Sequence, residues 1–444
     1  MYRRAVSALA LIAFASVEVS FVHAQAAGPA QQGAAIPDTP AGRLFKAWLD
    51  VFDSGDSSRL DAFYKKYQPD RSAAGDMGFR TMTGGLDVIS IEKSQPLHLE
   101  FVVKSRSDGM RGFGVFDLNA AGTSIKSRAI MAIAPNAAAT DFRIDGAERV
   151  RVVLGAISSL NEYYVFPDVA SKMGDTVHAR LKRGDYDDIT NGLVFANRLT
   201  DDFQSVSHDK HLRVNFSAGR IPDGPRAPTS DMIAQQRRQM ERSNCGFVKA
   251  EQLAGNIGYL KFNMFASPDM CGPTASAAMG FLANTDALIV DMRENGGGDP
   301  SMVRYVSSYL FSTRTHLNDL WNRKTGETQE FWTLDTIPGK RFGGEKPVYV
   351  LTSSRTFSGA EEFSYNLKML KRATIVGETT GGGAHPVAGR RIDDHFIIGV
   401  PGARAINPIS KTNWEGVGVE PDVKVLASNA LATAQKLAAD KIKP

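Results

Sequence analysis

Long apolar runs and blocks of like charge are both absent from the 444-residue sequence. No segment reaches the roughly 18 uninterrupted apolar residues that a transmembrane helix needs, so we expect no membrane-spanning segment. The 52 basic and 48 acidic residues are mixed along the chain, without the Lys and Arg clusters that are typical of nucleic-acid-binding surfaces. The composition therefore disfavours both a membrane-spanning protein and a nucleic-acid-binding protein.

Metal-binding motifs are absent as well. The sequence contains no HExxH and no CxxC, and its carboxylates do not cluster, so we expect neither a metal nor another cofactor. It has only two cysteines, Cys245 and Cys271. They could form one disulfide or remain free buried thiols, and the sequence leaves both possibilities open.

The first 24 residues have the pattern of a secretory signal peptide. Arg3 and Arg4 give a positive start, residues 5–17 are apolar, and residues 22–24 offer small side chains near a cleavage point. A linker rich in Ala, Gln and Gly follows over residues 25–37. We therefore expect a periplasmic or secreted protein, in a compartment that permits disulfides.

With 43% hydrophobic residues, the remaining chain has enough apolar material for two or three domains. Residues 38–140 begin with two helical patterns and continue with four stretches of alternating apolar and polar residues. This order predicts a small α+β domain with an antiparallel sheet. Its outline resembles cone-shaped folds with an open apolar pocket, and a folding or docking module is the simplest interpretation.

Four further sections follow along the chain. Residues 147–216 predict a three-helix unit that ends in a strand, and the polar stretch 218–244 predicts a loop or hinge. Strands and helices alternate over residues 245–427, which predicts an α/β core with a parallel sheet and crossover helices. Residues 428–444 predict a C-terminal helix or tail. In such a core, ligands bind beyond the carboxyl ends of the strands, so we expect the reactive side chains there.

Unusual residues follow two of the predicted core strands. Strand 287–290 leads to three successive glycines, 296–298, whose N–H groups could stabilise an oxyanion or simply belong to a flexible loop. Strand 348–351 leads to Ser358 at the start of a predicted helix, where its hydroxyl would lie at the positive end of the helix dipole. Ser358 and Glu361 also match a capping box, and a cap is the simpler interpretation of this segment taken alone.

A nucleophilic serine needs a general base, and three histidines are candidates. His211 is the best placed, because it lies between the helical unit and a strand that could reach the cleft near Ser358; His208 and His385 are the alternatives. A third group should orient the base. Glu415 could do so, although its Gly-rich surroundings also fit a plain surface turn.

Taken together, several segments resemble the S41 family of serine peptidases, which includes the tail-specific and tricorn-type enzymes. The resemblance is greatest to the branch with the modules of interphotoreceptor retinoid-binding protein, and it covers about residues 147–427 in family order. It implies a crotonase-like ββα arrangement within the α/β core. The matching segments are YYVFPD (163–168), DKHL (209–212), DMRENGGG (291–298), TFSGAEEF (356–363), GETT (377–380) and the run 414–422.

The resemblance implies a role for each of five residues. Ser358 matches the nucleophile, His211 matches the base of the tricorn-like branch, and Glu415 matches the acidic group of that branch. Gly297 and Gly359 match the positions whose N–H groups form the oxyanion hole. The resemblance therefore implies a Ser–His–Glu triad.

The sequence departs from the tail-specific branch in two ways. Enzymes of that branch use a Ser–Lys dyad, but no lysine occurs here between Lys371 and Lys411, and Gly383 stands near the place of the family lysine. There is also no room for a PDZ module between the helical unit and the α/β core. The first departure disfavours a dyad of that kind, and the second disfavours the recognition of protein tails.

The leading hypothesis is an exported serine peptidase that acts on a peptide or protein substrate without a cofactor. One alternative is a non-catalytic carrier of apolar ligands such as a retinoid or a fatty acid, in which Ser358 is only a helix cap. Another is an exported scaffold whose N-terminal domain binds a partner. The sequence leaves the substrate and the oligomeric state open.

Overall fold

The computed structural model of the protein describes residues 34–442, with the exception of 70, 72, 134–138 and 225–227. The predicted signal peptide over residues 1–24 and most of the predicted linker lie outside the described residues. Within the described part of the chain, no helix has the length and apolar character needed to cross a membrane.

The α-helices are α1 (Pro40–Ser54), α2 (Ser57–Tyr67), α3 (Ala73–Thr83), α4 (Gly146–Tyr163), α5 (Pro167–Lys182), α6 (Gly192–Ser207), α7 (Ser230–Arg242), α8 (Pro268–Leu282), α9 (Pro300–Ser307), α10 (Gly359–Met369) and α11 (Ala430–Ile442). The strands are β1 (Leu86–Gln95), β2 (His98–Ser105), β3 (Arg111–Leu118), β4 (Ile125–Ile133), β5 (Arg213–Phe216), β6 (Phe247–Leu253), β7 (Ile257–Phe262), β8 (Ala287–Asp291), β9 (His316–Asn322), β10 (Thr328–Trp332), β11 (Val348–Thr352), β12 (Thr374–Gly377), β13 (Val387–Arg391), β14 (Phe396–Pro401), β15 (Ala403–Ile406) and β16 (Val423–Lys424).

The N-terminal section is an antiparallel sheet in the order β1-β2-β3-β4, covered on one face by α1, α2 and α3. Alternation along β2 and β3 places Phe101 and Phe116 beneath these helices. On the opposite face, Phe113 stacks on Phe142, with ring centroids 4.4 Å apart, and belongs to the core of the following helical unit. Both faces of the sheet are therefore covered, one by α1 to α3 and the other by the core of the helical unit.

Three helices, α4 to α6, follow the sheet. Asp145 begins α4 by accepting the N–H of Glu148, and Pro167 lies in the first turn of α5, where a missing N–H costs nothing. After α6 the chain enters β5, which pairs antiparallel with β14 in the sheet β13-β14-β5. This pairing joins the helical unit to the end of the α/β core, and it fixes the position of His211 just before β5.

The stretch 218–244, predicted as a loop or hinge, contains the helix α7. Thr229 begins this helix by accepting the N–H of Met232, and no side chain of the helix is buried. The prediction of an irregular segment is wrong here. Gln, Arg, Met and Glu favour a helix, but a helix that buries nothing lacks the apolar stripe from which helices are predicted.

The α/β class predicted for the core is confirmed. Strands β16-β12-β11-β8-β7 run parallel in this order, and β6 lies antiparallel at the edge beside β7. Helices α8, α9 and α10 cover one face of this sheet, and α11 covers the other. Leu351 of β11 lies opposite Asp291 of β8, so the loops that carry Ser358 and the glycine run leave the sheet at the same edge.

The two cysteines are joined to each other. Cys245, in the turn before β6, and Cys271, in α8, form a disulfide with their Cα atoms 5.7 Å apart, and both residues are buried. The question that the sequence left open is thereby answered in favour of the bridge. It ties the edge of the sheet to the first helix of the core.

Candidate active site

Ser358 lies at a sharp turn between β11 and α10. Its backbone φ of 55° and ψ of −120° are values that few non-glycine residues adopt, and such strain is typical of functional positions. The turn places the hydroxyl at the N-terminal end of α10, where the helix dipole favours negative charge. Gly359 opens the helix, and its N–H has no acceptor within the helix.

The capping box predicted for Ser358 and Glu361 is present, and it is compatible with a reactive hydroxyl. The buried Glu361 carboxylate accepts the N–H of Ser358 at 2.8 Å. It also accepts the N–H groups of Gly382 and Gly383 and the hydroxyl of Thr380. Glu361 therefore joins the turn at Ser358 to the glycine-rich loop over residues 381–383. The sequence pattern alone did not indicate this link.

His211 is the hydrogen-bond partner of the Ser358 hydroxyl. Its Nε2 lies 3.0 Å from Oγ of Ser358, and its ring rests on the ring of Phe357, with centroids 4.7 Å apart. Burial lowers the pKa of His211 to about 4, although the negative charge of Asp209 opposes this shift. The imidazole is therefore neutral at physiological pH, so that Nε2 can accept the serine proton.

The two rival histidines lie elsewhere. His385 is buried, and its Nδ1 lies 2.8 Å from Oδ2 of Asp209. His208 is exposed and ends α6 in a left-handed conformation with a φ of 57°. Of the three candidate bases, the structure brings His211 to the Ser358 hydroxyl.

Glu415 lies beside His211 without a direct hydrogen bond to it. Within the described residues, Oε1 of Glu415 and Nδ1 of His211 are both buried and lack a hydrogen-bond partner. The other oxygen, Oε2, accepts the N–H of Ala384 and lies 3.4 Å from Nδ1 of His385. Burial raises the pKa of Glu415 to about 7. Glu415 thus has one free acceptor atom, and one of its carboxylate oxygens lies within 4.8 Å of a ring nitrogen of His211.

A second carboxylate, that of Asp209, completes this cluster. One ring nitrogen of His211 and one carboxylate oxygen each of Asp209 and Glu415 lie within 4.8 Å of one another, a spacing that would also suit metal ligands. Both oxygens of Asp209 already accept hydrogen bonds, from the backbone N–H of His211 and from His385. The cluster is therefore better described as a hydrogen-bonded support for the base than as a metal site.

The predicted oxyanion donors lie together, but one of them has another partner. A Cβ atom built on Gly297 would lie 2.6 Å from the nitrogen of Gly359, so the two backbones are in contact. The N–H of Gly297, however, donates to Oδ1 of Asn295 at 2.8 Å. The next amide is also close, because a Cβ atom on Gly359 would lie 3.0 Å from the nitrogen of Gly298. The assignment of Gly297 as the second donor stays a prediction, and Gly298 is the alternative.

A cavity of about 300 Å³ adjoins the carboxylate side of the site, where Glu415, His385, Phe166, Arg404 and Lys411 line it. A second cavity, of about 490 Å³, lies among charged side chains of α4 and of the turn between β13 and β14. The second cavity has mainly polar walls, whereas the first has mixed walls, in which Phe166, Ala405 and Ile406 lie beside charged side chains. Neither resembles the apolar chamber that a carrier of hydrophobic ligands would need.

A hydroxyl and a neutral imidazole arranged in this way define a site of the serine-hydrolase class. Two family models match the chain: Peptidase family S41 over residues 256–425, and the N-terminal domain of Peptidase S41 in eukaryotic IRBP over residues 147–244. Together they cover more than half of its length, and the chain belongs to peptidase family S41. The family predicted from the sequence is thereby confirmed.

The relatives match only in part. The tricorn protease of Thermoplasma volcanium is 30% identical over 145 residues, which are 32% of this chain and 13% of the relative. A tricorn protease homolog of Streptomyces coelicolor is 27% identical over 202 residues, which are 44% of this chain and 15% of the relative. The chain thus spans about one seventh of the length of these relatives. Among solved structures, the photosystem II D1 C-terminal processing protease is 17% identical, with a TM-score of 0.42 over 66% of this chain and 96% of the other.

Proposed function

We propose that this protein is an exported peptidase in which Ser358 is the nucleophile, His211 the general base and Glu415 the carboxylate that stabilises the protonated base. The observation that carries the proposal is the 3.0 Å separation between Oγ of Ser358 and Nε2 of His211 at the start of α10. A hydroxyl that only capped the helix would not need a buried imidazole beside it.

The reaction follows from the positions of these groups. Nε2 of His211 takes the proton of Ser358 as Oγ attacks the carbonyl carbon of a peptide bond, a contribution worth about 10²–10⁴ in rate. The oxyanion is stabilised by the N–H of Gly359 and by an N–H of Gly297 or Gly298, at about 10²–10³ for each donor. The imidazolium then gives its proton to the leaving amine, and water releases the acyl group in the reverse sequence.

Glu415 supports the charged intermediate of the base. When His211 carries two protons, its Nδ1–H needs an acceptor, and Oε1 of Glu415 is a buried acceptor without another partner. An ionised carboxylate in this position stabilises the imidazolium and holds its tautomer. Because burial raises the pKa of Glu415 to about 7, the fraction of ionised Glu415 changes within the physiological pH range.

The substrate class and the location belong to the same proposal. A peptide or protein substrate follows from the family, and export follows from the signal-peptide pattern over residues 1–24; the disulfide between Cys245 and Cys271 is compatible with it. The crotonase-like arrangement implied by the resemblance is part of the proposal too. The carrier alternative gains no support from the two cavities, because charged side chains line both of them, among them Arg404 and Lys411 in the first and Arg151 in the second.

A fluorophosphonate probe tests the proposal, because an activated serine displaces its fluoride and becomes phosphonylated, and the test needs no knowledge of the substrate. We expect the mature protein to be labelled and Ser358→Ala to be unlabelled, whereas Ser354→Ala, at an exposed serine of the same loop, should be labelled like the wild type. Loss of the nucleophile typically removes a factor on the order of 10⁶ in turnover.

The other outcomes point to a different function. A folded wild-type protein that is not labelled would contradict the peptidase proposal. If the same preparation bound a fluorescent fatty acid or retinoid, and Ser358→Ala bound it equally well, the carrier alternative would take its place.

A further inference from the structure

Asp209 and His385 form a buried pair directly behind the proposed base. Asp209 is 1% exposed and His385 is 2% exposed, so neither side chain is available to solvent. The carboxylate of Asp209 accepts the backbone N–H of His211 at 3.0 Å through Oδ1. Its other oxygen lies 2.8 Å from Nδ1 of His385 and accepts the hydroxyl of Tyr164 at 3.3 Å. Both carboxylate oxygens of Asp209 are thus hydrogen-bonded, one to the backbone of His211 and the other to His385 and Tyr164.

His385 contacts the second carboxylate as well. Its Nδ1 lies 3.4 Å from Oε2 of Glu415, so a single N–H lies between two carboxylates. Oε2 of Glu415 also accepts the N–H of Ala384, the residue just before His385. The ring of His385 rests edge-on against Phe166, with centroids 5.4 Å apart, which restricts its rotation. Residues 384 and 385 therefore hold one oxygen of Glu415 and leave Oε1 free.

We propose that Asp209 and His385 are positioning residues of this site, which fix the positions of His211 and Glu415 relative to each other. This proposal rests on the function proposed above. Asp209 fixes the backbone of His211. His385 fixes Oε2 of Glu415, so that the free Oε1 stays within reach of Nδ1 of the base. In this role both residues act through His211 and Glu415.

Electrostatics give His385 a second effect. Two carboxylates close together disfavour each other's ionisation, and a positive or hydrogen-bonding group between them relieves the repulsion. His385 accordingly lowers the pKa of Glu415, whereas burial and the charge of Asp209 raise it. Removal of His385 should therefore make Glu415 harder to ionise. The titratable or charged groups that face Glu415 are Asp209, His211, His385, Glu361 and Tyr164, together with Arg404 and Lys411, which line the same cavity.

The test compares two substitutions at one position. His385→Asn keeps a side-chain N–H where Nδ1 stands, whereas His385→Leu removes it; His208→Asn, at the exposed neighbour of Asp209, is the control. The fluorophosphonate labelling rate of each full-length mature variant is measured against probe concentration and pH, which separates the maximal rate constant from the probe affinity. Displacements of about 1 Å at a catalytic group cost on the order of 10²-fold.

We expect His385→Leu to lower the maximal labelling rate by about 10²-fold, with little change in probe affinity, and to move the acidic limb of the pH profile to higher pH. His385→Asn should recover most of the rate, and His208→Asn should match the wild type. A folded His385→Leu protein with the wild-type rate and pH profile would overturn the proposal.

A third substitution covers the case in which His385→Leu does not fold. Asp209→Asn keeps the size of the side chain and removes its charge, and we expect it to lower the maximal labelling rate as well. A folded Asp209→Asn protein with the wild-type rate would overturn the proposal by itself. The function proposed above is tested separately, because a wild-type protein without labelling would show its failure before any variant is made.

Discussion

A Cβ atom built on Gly383 would lie 2.7 Å from Cε1 of His211, closer than real Cβ atoms approach their neighbours. The same atom would lie 2.3 Å from Cζ of Phe357, so the imidazole and the phenyl ring together fill the space above this glycine. Gly383 stands near the place where the tail-specific branch carries its lysine. A side chain at this position and the imidazole of His211 therefore compete for one volume, which accounts physically for a histidine base in a chain with glycine there.

Gly383→Ala tests this competition. We expect the added methyl group to displace the imidazole of His211 and to lower the fluorophosphonate labelling rate by about 10²-fold. The fold should persist, because Gly383 lacks the positive φ of its neighbour Gly382 and its backbone suits alanine. The unfolding midpoint and the labelling rate are measured on the same preparation.

Gly296→Ala is the matched control for this substitution. It lies in the glycine run beside Ser358, but no atom is found within 4 Å of a Cβ atom built on it. We expect its labelling rate to be that of the wild type. Equal rates for Gly383→Ala and Gly296→Ala would show that the contact with His211 does not position the base.

The α/β core could be predicted from the sequence because each of its elements has a local pattern. Apolar runs such as 287–290 and 348–351 form buried parallel strands, and Ser358 follows one of them at the start of a helix. These patterns depend only on near neighbours along the chain. They indicate where reactive residues gather, whereas the preference for His211 over His208 and His385 rests on its position before a strand and on the resemblance to the family.

The hydrogen bonds that position the residues of the site could not be predicted from the sequence, because they join distant parts of the chain. Asp209 and His385 are 176 residues apart, and the pairing of β5 with β14 that brings them together leaves no local signal. Glu361 has a local signal as a helix cap, yet its hydrogen bonds to Gly382 and Gly383 depend on the fold. The partner of the Gly297 N–H is a side-chain contact of the same kind.

The pH dependence of labelling should report the ionisation of Glu415. Its pKa is raised to about 7 by burial, and the ionised form is the one that stabilises the imidazolium. The labelling rate should therefore rise by about tenfold between pH 6 and pH 8. His211 does not limit the rate in this range, because its pKa is lowered to about 4 and its ring is already neutral.

Glu415→Gln separates these two groups. The variant cannot ionise at this position. We therefore expect a lower maximal labelling rate and a pH profile of labelling that does not change near pH 7. A limb near pH 7 that persisted in Glu415→Gln would assign it to another group and would remove Glu415 from the proposed mechanism.

The disulfide should stabilise the fold without affecting the site. It closes a segment with a sequence separation of 26 residues, for which loss of the cross-link costs about 3 kcal/mol in the chain-entropy model. We expect the double variant Cys245→Ser, Cys271→Ser to lose about this free energy of unfolding in urea, and to keep its labelling rate. The wild type in excess dithiothreitol should behave like the variant; an unchanged unfolding midpoint in both would contradict the prediction.

Glu362, four residues after the serine, should make the stability of the wild type depend on pH. The side chain is 5% exposed, and burial raises its pKa to about 8, so the folded protein keeps a proton that the unfolded chain releases near pH 4.5. Stability should therefore fall as pH rises from about 4.5 to about 8, whereas Glu362→Gln does not titrate. We expect the free energy of unfolding of the variant, relative to that of the wild type, to increase by roughly a few kcal/mol between pH 5 and pH 8. Urea unfolding at both pH values measures this, with Glu345→Gln, at an exposed glutamate, as the control; a gain that did not grow with pH would show that Glu362 is ionised in the folded protein.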